Sequence, residues 1–251
     1  MESGGGSHFF AADVHIGASW DPEGLAERRF TAFLDSLPED TEGLWLLGDI
    51  FDFRVEYRDV VPRGGIRALG ALAALADRGV KIHYICGNHD WWMSDYLEKE
   101  IGAEIIRERY ILRDVGGLRL CLGHGDGLGR RSLAERFIFG LFRNPFCIAL
   151  MKALPPRWVF AFARNWSASS RRRHRGYRFR GEEDPLYRFA DGLGRSEKVD
   201  AYIFGHQHTP VEADIPSGGR LYVLGDWSKG ENYLNLSGMY ISGRSLPNID
   251  I

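Results

Sequence analysis

The chain of 251 residues predicts an α/β fold: one domain of two packed sheets with helices outside. Three observations predict it. Short apolar strands alternate with amphipathic helices through the first half, strands punctuated by glycine pairs fill the second, and polar clusters end strands in both halves. In order, Phe9-Phe10-Ala11-Ala12 is a buried strand. Asp21-Pro22 opens a helix, proline being favoured in the first turn, and Leu25, Phe30, Phe33, Leu34 and Leu37 recur at helical spacing. Residues 44–47 form a second strand. Ile66, Leu69, Leu72 and Leu75 mark a second helix, closed by Gly79. Residues 80–86 form a third strand, and a short helix is expected near 94–101. Strands then follow at 104–113, 118–122, 201–204, 211–215, 221–224 and 233–241, with Gly116-Gly117 and Ser217-Gly218-Gly219 as hairpin turns.

Composition narrows the class. Hydrophobic residues make up 44 % and charged residues 26 %, which excludes a disordered chain or a disulfide-framed miniprotein. Cys86, Cys121 and Cys147 form no CxxC pair, which fits a reducing, cytoplasmic compartment. Residues 1–7 lack a basic n-region, so no signal peptide is expected there. The most apolar stretch, 146–162, is cut by Lys152, Pro155-Pro156 and Arg157, too short an uncharged run to span a bilayer. The net charge of −2 hides a split. Residues 127–180 hold thirteen basic residues and one acid, Glu135, and break the strand–helix rhythm. They read as a basic, apolar helical insertion between two core pieces, 1–126 and 181–251. Leu133, Phe137, Ile138, Leu141 and Phe142 give its first helical stripe, with further apolar segments at 146–154 and 158–166.

Five polar clusters follow strands: Asp13-Val14-His15, Gly48-Asp49-Ile50-Phe51-Asp52, Gly87-Asn88-His89-Asp90, Gly123-His124-Gly125-Asp126 and Gly205-His206-Gln207-His208. Strand ends are where ligands gather in α/β sheets. The donors are carboxylate and amide oxygen with imidazole nitrogen, and no thiolate. That set suits Mn²⁺, Fe²⁺ or Zn²⁺ in a catalytic rather than structural role. Seven such side chains exceed one ion's needs and suffice for two sharing a carboxylate, as in displacement at phosphorus.

With these motifs the sequence resembles the calcineurin-like metallophosphoesterases, whose pattern is DxH, GDxxD, GNH(D/E), GH and GHxH. The resemblance implies an αββα four-layer sandwich with a dinuclear site at the strand ends. It implies that Asp13, His15 and His208 hold one divalent ion and Asn88, His124 and His206 a second, with Asp49 between them. It further implies that His89, oriented by Asp90, stabilises transition-state charge or protonates the leaving oxygen, with Asp52 as support.

The insertion interleaves its arginines with Phe139, Phe142, Phe146, Trp158, Phe160, Phe162 and Trp166. Such a segment suits an anionic lipid surface or nucleic acid, or serves as an oligomer interface. Its aliphatic content, with Leu133, Ile138, Leu141, Ile148, Leu150 and Leu154, favours a greasy lid, and no nucleic-acid partner is expected. The runs His124-Gly-Asp-Gly-Leu, Phe142-Arg-Asn-Pro-Phe146, Trp166-Ser-Ala-Ser-Ser-Arg171 and Leu224-Gly-Asp-Trp227 are similar to the UDP-2,3-diacylglucosamine diphosphatases of Gram-negative lipid A synthesis. That resemblance implies a lipid-linked UDP-sugar substrate, Mn²⁺, and peripheral attachment to the inner membrane from the cytoplasm. It also implies a lid over the acyl chains, with Ser170, Arg171 and Arg172 near the diphosphate and glucosamine. Many members of that family carry arginine after the Asn of the third motif, where this chain has His89. A different nucleotide, phosphodiester or phosphoprotein substrate therefore stays open, as does a non-catalytic scaffold docking partners through the insertion.

Overall fold

The computed structural model describes residues 6–57, 60–129, 140, 141, 143–174, 177–228 and 230–245, excepting the side chains at 164, 168–174, 231, 244 and 245. Strands β1 (Ser7–Ala11), β2 (Thr41–Leu46), β3 (Lys81–Ile85) and β4 (Glu104–Ile106) run parallel. Two antiparallel strands, β10 (Glu231–Ser237) and β11 (Tyr240–Ser245), complete a six-stranded sheet in the order β11-β10-β1-β2-β3-β4. The second sheet takes the order β5-β6-β7-β9-β8, from β5 (Tyr110–Val115), β6 (Leu118–Gly123), β7 (Ala201–Phe204), β8 (Val211–Asp214) and β9 (Arg220–Val223).

Period-two alternation builds the layers, because successive side chains on a strand face opposite sides. Phe9, Ala11, Leu44 and Leu46 face outward onto α1 (Leu25–Asp35), α2 (Ile66–Asp77) and α3 (Tyr96–Ile101). Their neighbours Phe10, Ala12, Trp45 and Leu47 face inward and meet Leu120, Leu122, Ala201 and Ile203 of the other sheet. The outer face of that sheet, including Cys121, Tyr202 and Phe204, packs on Leu186 and Ala190 of a further helix, Pro185–Gly194. The result is the expected αββα sandwich. Burial pushes the Cys86 and Cys121 thiols up, the latter to about 12, as inert core side chains.

Several boundaries differ from the sequence reading. The expected strand 104–113 is two strands in different sheets, β4 and β5, because the chain crosses between layers at 107–109. The expected strand 233–241 is the hairpin β10–β11, turning at Gly238 with φ 58°. Helix α1 starts at Leu25 rather than at Pro22: Asp21 accepts hydrogen bonds from the amides of Leu25 (2.9 Å) and Ala26 (2.7 Å), capping from outside. The helix at Pro185–Gly194 is additional, and Asp184-Pro185 was its signal, since Asp184 accepts from the Leu186 amide at 3.0 Å.

Within the insertion, α4 (Pro145–Ala153) is capped by the Asn144 side chain, and α5 (Pro156–His174) follows after a sharp turn; the Pro185–Gly194 helix is α6. The expected stripe around Leu133 and Phe137 lies outside the described residues. Val159, with Ile148 and Met151, packs on Phe53, Val55, Trp91 and Trp92 of the core. Three polar ties reinforce this: Arg143 to Asp126 (3.1 Å), Ser167 to Asp52 (2.6 Å) and Lys152 to Ser94. The Arg143 guanidinium also lies 3.8 Å over the Trp91 ring.

Candidate metal centre

All five polar clusters meet at one end of the sandwich, where parallel strands release their chains in the same direction. The loops after β1 and β2 continue the ladder: the amides of Asp13 and His15 donate to Gly48 (3.1 Å) and Asp49 (3.0 Å). The Gly205 amide donates to the His124 carbonyl at 2.9 Å. Glycine is required where these loops touch. A Cβ at Gly87 would stand 2.2 Å from Asp49 Oδ1, and one at Gly205 would stand 2.5 Å from Asp13 Oδ2.

The backbone itself marks the site. Among the described residues, the non-glycine positions with left-handed φ are Asp13 (54°), His15 (53°), Asp49 (53°), His206 (74°) and His208 (56°). Each conformation costs about 1–3 kcal/mol and persists only where surrounding structure over-determines it. All five belong to the ligand set read from the motifs.

Two donor groups follow the motifs, Asp13, His15 and His208 in one and Asp49, His124 and His206 in the other; a third, Asp52 and His89 with His15, shares His15 with the first. The Asp13 and Asp49 carboxylates each have one oxygen fixed by the backbone. Asp13 Oδ2 accepts from the His206 amide at 2.7 Å, and Asp49 Oδ1 from the His89 amide at 2.9 Å. Their second oxygens face imidazoles: Asp49 Oδ2 lies 3.1 Å from His124 Nε2 and 4.0 Å from His15 Nε2. Asp49 therefore stands between the groups, as a bridging ligand must. Asn88 Oδ1 and Asp13 Oδ1 are buried without a hydrogen-bond partner.

The imidazoles are held by their far nitrogens. His124 Nδ1 donates to the Leu47 carbonyl at 2.8 Å, which leaves its Nε2 lone pair facing the site. His15 Nδ1 stands 3.3 Å from Asp52 Oδ1, and His208 Nδ1 stands 3.7 Å from Asp226 Oδ2. The Nε2 atoms of His15 and His208 then confront each other at 3.3 Å. Two lone pairs at that distance repel, whereas nitrogens that share a cation, each about 2.1 Å from it, stand at roughly this separation. Buried oxygen acceptors without donors and imidazoles in this tautomer fit divalent cations.

The buried carboxylates and imidazoles shift one another: against burial, Asp49 holds His124 well above the usual imidazole range and Asp13 holds His208 above it. Burial, against the pull of His208 and His124, pushes Asp13 up to about 6. Asp49 is buried too, yet the His124 and His89 imidazoles hold it well below the usual carboxylate range. Burial drives His15 down to about 4, toward the neutral imidazole that coordinates metal.

Two readings from the sequence change. His89 is not oriented by Asp90: its Nδ1 donates to the Asp52 carbonyl at 2.7 Å, aiming Nε2 to within 4.0 Å of Asp49 Oδ2. Asp90 instead clamps two loops, accepting from the amides of Gly87 (2.7 Å) and Ile50 (3.0 Å) and from the Tyr84 hydroxyl (2.5 Å). Its three partners leave it no reach to a reacting group. Ser170, Arg171 and Arg172 fall in the last turns of α5, and their side chains lie outside the described residues. Sequence reasoning missed Asp226 and Ser167 as supports, although both sit in motif-like runs, LGDW and WSASSR. Trp227, fully buried, anchors Asp226 by packing edge-to-face on Phe30 and tilted against Phe33 and by donating to the Ala12 carbonyl at 3.0 Å.

Comparison with known proteins follows the same line. The family model described as calcineurin-like phosphoesterase matches residues 9–210. A UDP-2,3-diacylglucosamine hydrolase of Porphyromonas gingivalis W83 is 35 % identical over 259 residues, covering 96 % of this chain and 98 % of that protein. One from Nitrosococcus oceani is 28 % identical, covering 90 % of each. Among solved structures, a dimetal phosphatase from Danio rerio superposes with a TM-score of 0.51 at 14 % identity, covering 97 % of each chain, a likeness of fold.

Proposed function

Since the chain belongs to the calcineurin-like phosphoesterases, we propose that it is a metal-dependent pyrophosphohydrolase cleaving UDP-2,3-diacylglucosamine to UMP and 2,3-diacylglucosamine 1-phosphate. The observation that carries this reading is a convergent cluster of Asp and His donors in a chain matched over 96 % of its length by a relative named for that activity. Among the described residues no observation favours another phosphoester or a non-catalytic scaffold, and the grouped Asp and His donors support a catalytic site.

Asp13, His15, Asp49 and His208 would hold one divalent ion, and Asp49, Asn88, His124 and His206 the other. Bound there, such ions supply Lewis acidity to the phosphoryl oxygens and neutralise developing charge. Mn²⁺ is the ion we assign, on the resemblance to the UDP-2,3-diacylglucosamine diphosphatases; the oxygen and imidazole donor set by itself accommodates Mn²⁺, Fe²⁺ or Zn²⁺. The chain's own contribution is positioning and proton handling. His89 Nε2 faces the cluster from the side, placed by its Nδ1–H bond to Asp52, to donate a hydrogen bond or proton at the phosphoryl or leaving oxygen. Asp52 and Asp226 fix the His15 and His208 rings, and the glycines keep water-excluding loops close to the reacting group.

The insertion gives the lipid preference and the location. Phe146 (76 % exposed), Leu150, Trp158 and Phe162 leave an apolar face on α4 and α5, beside Lys152 and Arg157. Such a face supports peripheral attachment to an anionic cytoplasmic membrane surface, where the substrate's acyl chains reside. No single helix among the described residues is long and apolar enough to cross a bilayer. The test is a substrate panel in detergent: UDP-2,3-diacylglucosamine, UDP-GlcNAc and bis(4-nitrophenyl) phosphate. UMP release from the lipid substrate, with little from UDP-GlcNAc, supports the assignment. Comparable turnover of both UDP-sugars would defeat the lipid part of it.

A further inference from the structure

Beside the metal centre, a slot of about 350 Å³ lies between the two sheets, lined by β8 and β9 of one and by β10 and β11 of the other. Pro210, Tyr222, Leu224, Asn232, Leu234 and Gly243 are among its lining residues. Tyr222, Leu224 and Leu234 belong to the core between the sheets and give the slot an apolar side, while Glu212 also lines it. A buried amide stands among them. The Asn232 side chain is 3 % exposed, and neither Oδ1 nor Nδ2 has a hydrogen-bond partner. A buried amide left unpaired is costly, and native proteins almost always satisfy it.

Strand register puts this amide next to the reacting centre. Tyr233 pairs with Ala11, so Asn232 lies level with Ala12, one residue before Asp13 and one strand spacing, about 4.8 Å, to its side. On the opposing sheet, the Leu224 amide donates to Phe204, which brings Gly225 of the slot level with the turn carrying His206. Pro210 follows His208 by two residues, and Asp226, which faces the His208 ring, follows Gly225. The slot thus opens from the same strand ends as the ligand cluster.

We propose that this slot seats the pyrimidine ring of the uridine nucleotide, with the Asn232 amide hydrogen-bonding its imide edge; this rests on the UDP-sugar reading above. The chemistry matches group by group. An amide offers a carbonyl acceptor and an NH₂ donor side by side, and the imide edge of uracil presents an N–H donor next to a carbonyl acceptor. The ring faces meet Tyr222 and Leu234, while the phosphate attached through the ribose reaches the metal ligands. A single planar ring fits a slot between two packed sheets, and a buried amide otherwise unpaired disfavours a ligand that lacks the base.

The experiment uses the full-length, metal-loaded protein and reads competitive inhibition of bis(4-nitrophenyl) phosphate hydrolysis by UMP and by ribose 5-phosphate. Both inhibitors carry the phosphate and ribose, and only UMP carries the base. In the wild type, UMP should inhibit at least about 10-fold more tightly than ribose 5-phosphate. Asn232→Ala should shrink that ratio to below about 3-fold; the side chain makes no hydrogen bond in the fold, so its loss removes none. Gly243→Val blocks the slot independently. The first added carbon meets only Leu234 Cδ2 at 3.6 Å and Glu212 Oε1 at 3.9 Å, and the rest enters the cavity. It should shrink the ratio likewise. A ratio that survives in both variants overturns the slot assignment, and if the wild type still releases UMP from UDP-2,3-diacylglucosamine, the functional reading stands without it. No ratio in the wild type and no UMP from the lipid substrate would bring down both.

Discussion

Asp52 is the sharpest place to perturb the site without touching a metal ligand. Its Oδ1 receives the Ser167 hydroxyl at 2.6 Å and stands 3.3 Å from His15 Nδ1, all three groups being buried. Asp52→Ala leaves a buried hydroxyl and a buried imidazole N–H without an acceptor, each costing about 1–3 kcal/mol. A stability loss of about 2–4 kcal/mol follows, read as a lowered unfolding free energy in urea. The functional consequence is separable. His15 loses the partner that fixes its tautomer, and removing such a partner typically weakens metal binding by about 10–100-fold, or about 1.4–2.8 kcal/mol. Ser167→Ala removes one bond and keeps the carboxylate, so it should cost about 1–2 kcal/mol in stability and about 10-fold or less in affinity. Calorimetric titration of metal-free protein with Mn²⁺ measures the affinity. Wild-type affinity for both ions in Asp52→Ala would refute the reasoning that this carboxylate orients His15.

Other outcomes follow from the same geometry. Asp49→Ala removes the carboxylate standing between the two donor groups and should abolish turnover while the protein stays folded by circular dichroism. His89→Ala should lower kcat by about 10²–10⁴-fold with KM little changed, the signature of a group acting mainly in the transition state. Asp90→Ala deprives three buried donors of their acceptor and should destabilise the protein by about 3–5 kcal/mol in chemical denaturation, mainly an effect on folding. Trp227→Ala, at a fully buried ring, should cost about 3–5 kcal/mol and weaken metal binding through Asp226.

Much of this was legible because ligand chemistry sits at strand ends. Asp13, His15, Asp49, Asn88, His124, His206 and His208 each follow an apolar strand, and parallel strands deliver such residues to one edge. The layers were legible too, since Phe9 and Phe10, or Leu44 and Trp45, must face opposite sides of a strand and both are apolar. Partners distant in sequence were not. Ser167 meets Asp52 across 115 positions, and nothing local to WSASSR says which carboxylate it will find. The mistaken pairing of His89 with Asp90 has the same origin. Adjacent residues in a loop share a backbone but need not share a target, and here one turns to Asp52 while the other turns back to Tyr84. The break between β4 and β5 escaped because residues 104–113 are continuously strand-like in composition, and only the sandwich decides where they change sheet.

The central claim is that this chain cleaves a lipid-linked UDP-sugar with the cluster that would hold two divalent ions. The most direct measurement titrates chelator-stripped protein with Mn²⁺ while following UMP release from UDP-2,3-diacylglucosamine in detergent. The account predicts no UMP from the stripped protein and a rate that rises to saturation at two equivalents of metal. Undiminished turnover in the presence of chelator, or saturation at one equivalent, would contradict it.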